Sequence, residues 1–523
     1  MHQSFLITAR DIVPAVVRLS GRKVDDLTAA TEQALAGGDR SRLGTKLPVR
    51  ERLDLLLDAG SFVEDGLLAS ALDEGLPADA VICGTGTVGG RPVGVVAHDP
   101  TVKAGSWGRR TVEKQIRLLE RADRDLLPIF YLVDSAGGRL TDQLGFHAGA
   151  RGAARVFHLQ VRLSGRVPQI CCLFGPSAAG GAYMPAFCDW VAMVDGNASM
   201  FLASPRIAEK AIGEVVSLEE MGGATMHTAV SGLGDQLCAD DAEAIAAAQD
   251  FFSYLPSHWD QKPAPAPPAD PAELDWDGVL PESLRSGYDV RGVVERVTDA
   301  GSFFEVKKRW AQELVVGFAR VDGQAIGVVA NQPLVSAGAI QVDSADKAAR
   351  FITLCDAFNL PLLFLADIPG FMIGSAVERQ GIIRHGAKMV AAMSSAEVPR
   401  FCVVLRKAFA AGYYAMSSPG FEPRATIALE GAQIGAMAGE AAVNAVWANR
   451  IEAIEDPEER RAFIAERVAE YEPELDAIRL ASELLIEAVV RPEELRGELQ
   501  RRLADAADWQ RRPPGRHHGS FPV

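Results

Sequence analysis

Residues 127–138 read LPIFYLVDSAGG and residues 360–371 read LPLLFLADIPGF, which places Asp134 and Asp367 233 positions apart. The same interval joins GRPVGVVA (Gly90 to Ala97) to GQAIGVVA (Gly323 to Ala330) upstream. Downstream, VPQICCLFGPSAAGGAYM (Val167 to Met184) matches VPRFCVVLRKAFAAGYYAM (Val398 to Met416), with Ala179 and Ala411 differing by 232. Three matches in one order over about 90 residues are the mark of an internal duplication rather than of chance likeness between apolar strands. The Pro/Ala/Asp-rich stretch QKPAPAPPADPAELDWDG (Gln261 to Gly278) has no apolar period and reads as a linker. The chain therefore divides into a first half over 1–260, a linker over 261–279 and a second half over 280–523.

Within each half, short apolar runs such as PVGVVAH, PIFYLVD and PQICCLF alternate with helical stretches such as VEKQIRLLERADRD. Strands buried on both faces read as continuous apolar runs, so the pattern predicts an α/β fold of parallel strands joined by crossover helices. The stretch from Glu466 to Gln510 is rich in Ala, Leu, Glu and Arg at helical spacing and predicts one or two long helices. The closing QRRPPGRHHGSFPV predicts an extended tail.

Composition excludes several classes. At 48% hydrophobic and 23% charged, the 523 residues fit a globular protein, not a disordered or collagen-like one. The net charge of −16 argues against a nucleic-acid or anionic-membrane footprint. Seven cysteines (Cys83, Cys171, Cys172, Cys188, Cys238, Cys355, Cys402) form no CxxC and no metal spacing, so buried reduced thiols are expected and no metal site. The opening MHQSFLITARDIVP lacks the shape of a signal peptide and no run of about 18 apolar residues follows, so a cytoplasmic location is expected.

Both halves place small residues between a buried strand and a helix: Ser177 to Ala182 and Ala408 to Gly412. The first N–H groups of a helix have no intrahelical partner, and small side chains let a ligand oxygen come close, so each run suits an oxyanion. Tight strand-on-helix packing is the competing explanation. Two such sites would serve a reaction in which two carbonyl oxygens gain charge. No G-x-S-x-G, GxxxxGK[ST] or HExxH is present. His98, His147 and His227 read as structural. Asp134 and Asp367 end strands and are expected to cap the following loops rather than act as acids. Tyr183, Tyr413 and Tyr414 flank the small-residue runs and either line a pocket or pack in the core.

At these residues the chain resembles the carboxyltransferase (β) subunit of biotin-dependent acyl-CoA carboxylases of the propionyl-CoA and methylcrotonyl-CoA type. The likeness is carried by LGTKLPVRERLDLLLDAGSFVE, GRPVGVVAHDPTVKAGSWG, VDSAGGRLTDQ, GEVVSLEEMGGATMHTAVSG, FFSYLP, GVVANQP, SADKAARFITLCDAFNLPLLFLADIPGF and HGSFPV. It implies two tandem crotonase-like domains, each a ββα superhelix, in a hexamer where the first domain of one subunit faces the second of another. It further implies transfer of a carboxyl group from carboxybiotin to the α (or vinylogous γ) carbon of a short acyl-CoA.

By the same resemblance, backbone N–H groups of Ala179 and Gly180 would hold the thioester oxygen, and those of Ala411 and Gly412 the biotin oxygen. Gly137, Gly138, Arg139, Gly181, Tyr183 and Tyr414 would contact the acyl-CoA, and Gly370, Phe371 and Tyr413 the biotin. Lys103, Arg109, Arg110 and Arg139 are candidates for the CoA phosphates. Ala387-Lys388-Met389 lacks the flanks of a biotinylation motif and no ATP-grasp signature occurs, so the carboxybiotin would come from a partner α subunit with biotin carboxylase and carrier domains. Related alternatives are a decarboxylase or transcarboxylase acting on a malonyl-type CoA, and an inactive assembly paralogue. Relatives of the propionyl type read GPCAGGAVYSPA and KAYGGAYDVM; this chain has GPSAAGGAYMPA and KAFAAGYYAM, so Tyr414 stands where they carry Asp. GEVVSLEEMGG leans toward the methylcrotonyl type, whereas the Arg of VDSAGGRLTDQ is that of the propionyl type.

Overall fold

A computed structural model of the chain describes residues 27–73, 75–271 and 275–511. The opening residues 1–26 and all of the expected tail beyond Arg511 lie outside them. The chain separates into two compact units, one of residues 1–226 with 237–249 and the other of 227–236 with 250–523. Residues 250–260, read above with the first half, group with the second. Phe251 there packs edge-on against Phe318 at 5.6 Å, and the Tyr254 hydroxyl donates to the Ser302 carbonyl at 2.6 Å. This explains the FFSYLP string, whose aromatic rings serve the second core.

Each unit holds one eight-stranded sheet with the same order. The first runs β1 (Val63–Asp65), β2 (Val81–Val88), β3 (Arg91–His98), β4 (Ile129–Ser135), β5 (Gln169–Ala178), β6 (Trp190–Val194), then β8 (Gln236–Cys238), with β7 (Ser199–Phe201) also on β5. The second runs β9 (Phe304–Val306), β10 (Leu314–Val321), β11 (Gln324–Asn331), β12 (Leu362–Ile368), β13 (Arg400–Phe409), β14 (Ala425–Leu429), then β16 (Ala488–Val490), with β15 (Gln433–Gly435) on β13. The sheets are mixed rather than wholly parallel. In each unit the first three strands are antiparallel, and the ladder turns parallel from the third strand on. Two-residue turns explain this: Gly89-Gly90 and Asp322-Gly323 all take positive φ, the geometry of a tight hairpin rather than of a crossover.

Crossover helices then follow. Helix Arg109–Asp125 buries Val112, Leu119 and Ala122, and helix Val342–Ala357 buries Ala345, Ile352 and Cys355 at the matching places. β4 and β12 are buried along their whole length, as their unbroken apolar runs require. Each helix also carries a buried lysine. Lys114 Nζ donates to the carbonyls of Ala78 (3.1 Å) and Val81 (2.5 Å); Lys347 Nζ donates to those of Trp310 (2.8 Å), Ala311 (3.3 Å) and Leu314 (2.7 Å). The ammonium thus satisfies carbonyls of the turn that leads into the hairpin.

The region from Glu466 to Gln510 is not one or two long helices. Helix Pro457–Tyr471 ends at a turn containing Pro473, the Asp476 carboxylate caps a new six-residue helix, and β16 then joins the sheet parallel to β14 before helix Leu495–Asp505. Proline and the β-branched run of β16 override the helical composition. Leu495, Leu499 and Leu503 of the last helix enter the second core. No helix among the described residues is long and apolar enough to cross a membrane.

Replacing Lys347 by Met leaves three carbonyl oxygens without their donor and is expected to cost about 3 kcal/mol of unfolding free energy. Urea denaturation checks this, with Lys308→Met, at an exposed neighbour, expected to stay within about 0.5 kcal/mol of wild type.

Candidate functional site

The end of the central strand pair is built twice. In the first unit β4 and β5 pair in parallel from Ile129↔Gln169 to Val133↔Leu173, then slip to Ser135↔Ser177. In the second, β12 and β13 run from Leu362↔Arg400 to Ala366↔Val404, then slip to Ile368↔Ala408. The interval between repeats is thus 233 on β4/β12 but 231 on β5/β13, because the second crossover is two residues shorter. The sequence match of Ala179 with Ala411 is therefore one residue out. Ala179 corresponds to Ala410, Gly180 to Ala411, Gly181 to Gly412 and Tyr183 to Tyr414.

Backbone conformation agrees with that register. Ala179 has φ 52° and Ala410 φ 54°, each directly after the strand and at the start of a helical turn. A left-handed alanine is uncommon and costs about 1 to 2 kcal/mol. It turns the chain sharply, so that Ala179 and Gly180 in one unit, and Ala410 and Ala411 in the other, lie exposed. Their amide groups belong to a first helical turn, where no intrahelical acceptor is available.

A second loop lies beside each turn. The stretch after β4 bridges Trp107 to Gly138, with Trp107 N–H donating to the Gly137 carbonyl at 2.8 Å; the stretch after β12 bridges Ile340 to Phe371. Gly137 (φ 89°) suits glycine, since its backbone strains any other residue and a Cβ there would lie a tight 3.0 Å from the Ala178 carbonyl oxygen. In the second unit a Cβ on Gly412 would come within 2.8 Å of Gly370 Cα and 2.7 Å of Ile368 Cδ1. Gly137/Gly138 and Gly370/Phe371 thus hold the same position in the two units, each against its small-residue turn.

Side chains sort more unevenly. Tyr183 and Tyr414 are half-exposed; Tyr183 stacks on Phe187 at 6.2 Å, and Tyr414 leans on Phe421 at 6.4 Å. Tyr413 is buried, and burial pushes its phenol above the ordinary range, so it belongs to the core rather than to a biotin surface. Arg139 is likewise committed: its guanidinium pairs with Asp79 at 2.5 Å and reaches the Ser106 carbonyl at 2.7 Å, which bolts the loop down rather than offering a charge to a phosphate. Arg110 pairs with Asp73 at 2.5 Å, while Lys103 and Arg109 are exposed. His98 is a structural residue, as expected: it is buried, held down to about 4 by burial, and its Nε2 accepts from Trp107 Nε1 at 2.9 Å. All seven cysteines are buried free thiols, and among the described residues no group of three or more His, Cys, Asp or Glu could hold a metal.

Asp134 and Asp367 do not cap loops. Asp134 is buried between Lys46 Nζ (2.8 Å) and Arg52 Nη2 (3.5 Å), and Asp367 between Arg406 Nε (2.7 Å) and Lys407 Nζ (3.8 Å). Burial pulls the Lys407 ammonium down, and the Asp367 carboxylate opposes it. Sequence reading passed over these four cations, although Lys46 and Arg52 fall in the LGTKLPVRERLD string and Arg406 and Lys407 in the repeat VPRFCVVLRKAFAAGYYAM.

Comparison with known proteins then decides the family. Residues 42–521 match the carboxyl transferase domain model. The chain belongs to the carboxyl transferase family. An uncharacterized carboxylase of Bacillus subtilis is 54% identical over 481 residues, covering 91% of this chain and 94% of that protein. The carboxyltransferase subunit of propionyl-CoA carboxylase from Haloferax mediterranei is 36% identical over 517 residues, covering 96% and 99%. The crystal structure of the transcarboxylase 12S hexamer with methylmalonyl-coenzyme A bound superposes with a TM-score of 0.90 at 35% identity, over 96% of this chain and 98% of that one. The two units are accordingly the tandem crotonase-like domains of a carboxyltransferase.

In this carboxyltransferase the two glycines named as donors have different neighbours. A Cβ on Gly180 would meet nothing within 4 Å, whereas one on Gly412 strikes backbone. Gly412→Ala is therefore expected to cost about 1 to 3 kcal/mol of stability, and Gly180→Ala less than about 0.5 kcal/mol. Chemical denaturation of the two variants checks the difference.

Proposed function

We propose that this carboxyltransferase moves a carboxyl group from carboxybiotin, presented by a biotin carrier on a partner subunit, to the α-carbon of a short acyl-CoA. The observation that carries this reading is the twofold occurrence of one geometry. Each unit presents a left-handed alanine followed by an exposed small residue at the end of its central strands, with no nucleophile–base pair beside them among the described residues. Such a pair of sites suits a reaction in which charge gathers on two carbonyl oxygens in turn.

Following the family resemblance, the first unit takes the thioester oxygen and the second the ureido oxygen of biotin. Gly180 and Ala411 occupy equivalent, exposed positions and form the centre of each donor set, preceded by Ala179 in the first unit and by Ala410 in the second. Small side chains at both turns leave the amides approachable, which is the property a carbonyl ligand needs. Carboxybiotin, when bound, supplies the carboxyl group and afterwards the nitrogen that takes the α-proton. The chain itself holds the two oxygens and needs no side-chain base. Tyr183 and Tyr414, half-exposed beside the two turns, are placed to border the acyl and biotin groups, and Lys103 and Arg109 to meet CoA phosphates. The partner would be a biotin carboxylase and carrier (α) subunit, and the assembly a hexamer of this chain.

The purified chain, given a carboxylated biotin carrier, is expected to carboxylate at least one of acetyl-, propionyl-, butyryl- or methylcrotonyl-CoA, measured as the carboxylated product. No transfer to any of the four would overturn the reading. Gly180→Val, which obstructs a donor without meeting a neighbour, is expected to lower kcat about 10²-fold or more.

A further inference from the structure

The string LGTKLPVRERLD has no role in the reaction as proposed, yet it delivers two cations to one buried carboxylate. Lys46 and Arg52 both reach Asp134, 88 and 82 residues downstream. Asp134 stands opposite the irregular stretch Phe174–Gly175–Pro176, where β5 gains two residues on β4. The carboxylate lies against the backbone of that stretch so closely that a Cβ on Gly175 would be 2.0 Å from Asp134 Oδ1. Three residues beyond Pro176 comes Ala179 with its positive φ.

The second unit meets the same need with other residues. Asp367 stands opposite Leu405–Arg406–Lys407, and Arg406, the counterpart of Gly175, supplies the guanidinium from inside the irregular stretch. Both guanidiniums lie over an aromatic face, Arg52 over Phe174 at 4.2 Å and Arg406 over Tyr288 at 4.5 Å. Each cluster is tied to the opening segment of its own repeat. Asp241 accepts from Arg52 Nε (2.8 Å) and Leu47 N–H (3.0 Å), while the Ser283 and Leu284 carbonyls accept from Arg406 (3.0 Å) and Lys407 (2.6 Å).

We infer that Lys46 and Arg52, acting through Asp134, are positioning residues for the donors at Ala179 and Gly180, and that Arg406 and Lys407, acting through Asp367, position those at Ala410 and Ala411. The inference rests on the proposed function for what the donors hold. An ion pair in this place fixes how far the strand end projects, and so where the amides point. Losing one cation leaves a buried carboxylate under-compensated, and the stretch it braces relaxes.

The test uses the full-length chain with a carboxylated carrier and an acyl-CoA that the wild type accepts. Lys46→Met is expected to lower kcat about 10²-fold, the order of loss that a small misplacement of reacting groups produces, with KM for the acyl-CoA held within about twofold. Difference infrared spectra give a readout that a merely structural role would not move. The thioester carbonyl stretch of bound acyl-CoA should shift toward its free-solution frequency in Lys46→Met and stay in place in Arg406→Met; the biotin ureido carbonyl should show the reverse. Lys46→Arg keeps the charge and should retain most activity even if Lys46→Met folds poorly. A wild-type stretch in Lys46→Met, or equal displacement of both carbonyls by either variant, would overturn the positioning role alone. An inactive wild type would overturn the proposed function along with it.

Discussion

A buried carboxylate at the end of the central strand is the constraint on which both halves of the molecule depend. Asp134 and Asp367 are at most 2% exposed, and an isolated carboxylate so placed costs several kcal/mol unless it is paired. Pairing requires cations, and placing them draws remote chain onto the strand end. In the first unit the cations arrive on the segment around Lys46 and the helix Val49–Leu56; in the second Arg406 and Lys407 come from the neighbouring strand, and the segment around Ser283 supplies the carbonyls that accept from them. The strand slip next to each carboxylate, the exposed turn beyond it and the neighbouring glycine loop all take their places from this junction. An irregularity at a strand end commonly re-aims the chain beyond it.

The duplication shows which part of the arrangement is fixed and which part is free to drift. Position and partner type are shared: carboxylate, guanidinium, aromatic face and lysine occur in both units. The residues that supply them are not equivalent. Gly175 leaves space for Asp134 because its guanidinium arrives from outside, whereas Arg406 occupies the same place and supplies its own. Two solutions to one electrostatic requirement argue that the requirement, not the particular side chain, is what both halves have kept.

Much of this was legible in the sequence, for a physical reason. Buried strands carry long apolar runs, and a repeat of such runs at one interval fixes two like sheets; small residues after them mark where backbone can be approached. Other features left little local trace. The shift from 233 to 231 lies in the second crossover; the VP pairs that open the matched strings are 231 apart, but matching the AAG letters further on put Ala411 where Ala410 belongs. Lys46 and Arg52 look like any basic pair at the start of a helix, since nothing local points to a partner more than 80 residues on. Arg139 looks like a phosphate ligand for the same reason, until Asp79 is found beside it. The region after Glu466 misled because helix-forming composition counts residues, while Pro473, Pro492 and the pairing of β16 act singly.

Backbone chemistry explains why this site is so plain in composition. If the amides do the work, the side chains at the turns need only be small, and the two units satisfy that differently, with Ala-Gly-Gly in one and Ala-Ala-Gly in the other. What cannot vary is the direction of the amides, and that is set by a left-handed residue which in both units is alanine, not the glycine that would adopt it without penalty. A strained alanine persists only where its surroundings over-determine it. The buried ion pair at the strand end is one such constraint in each unit, beside the β7 and β15 ladders that reach Ala178 and Phe409, because releasing the turn would mean disturbing a carboxylate that has no access to water. Strain at Ala179 and Ala410 and charge pairing at Asp134 and Asp367 are in this sense one device: electrostatic burial holds a backbone shape that a more relaxed residue would let move.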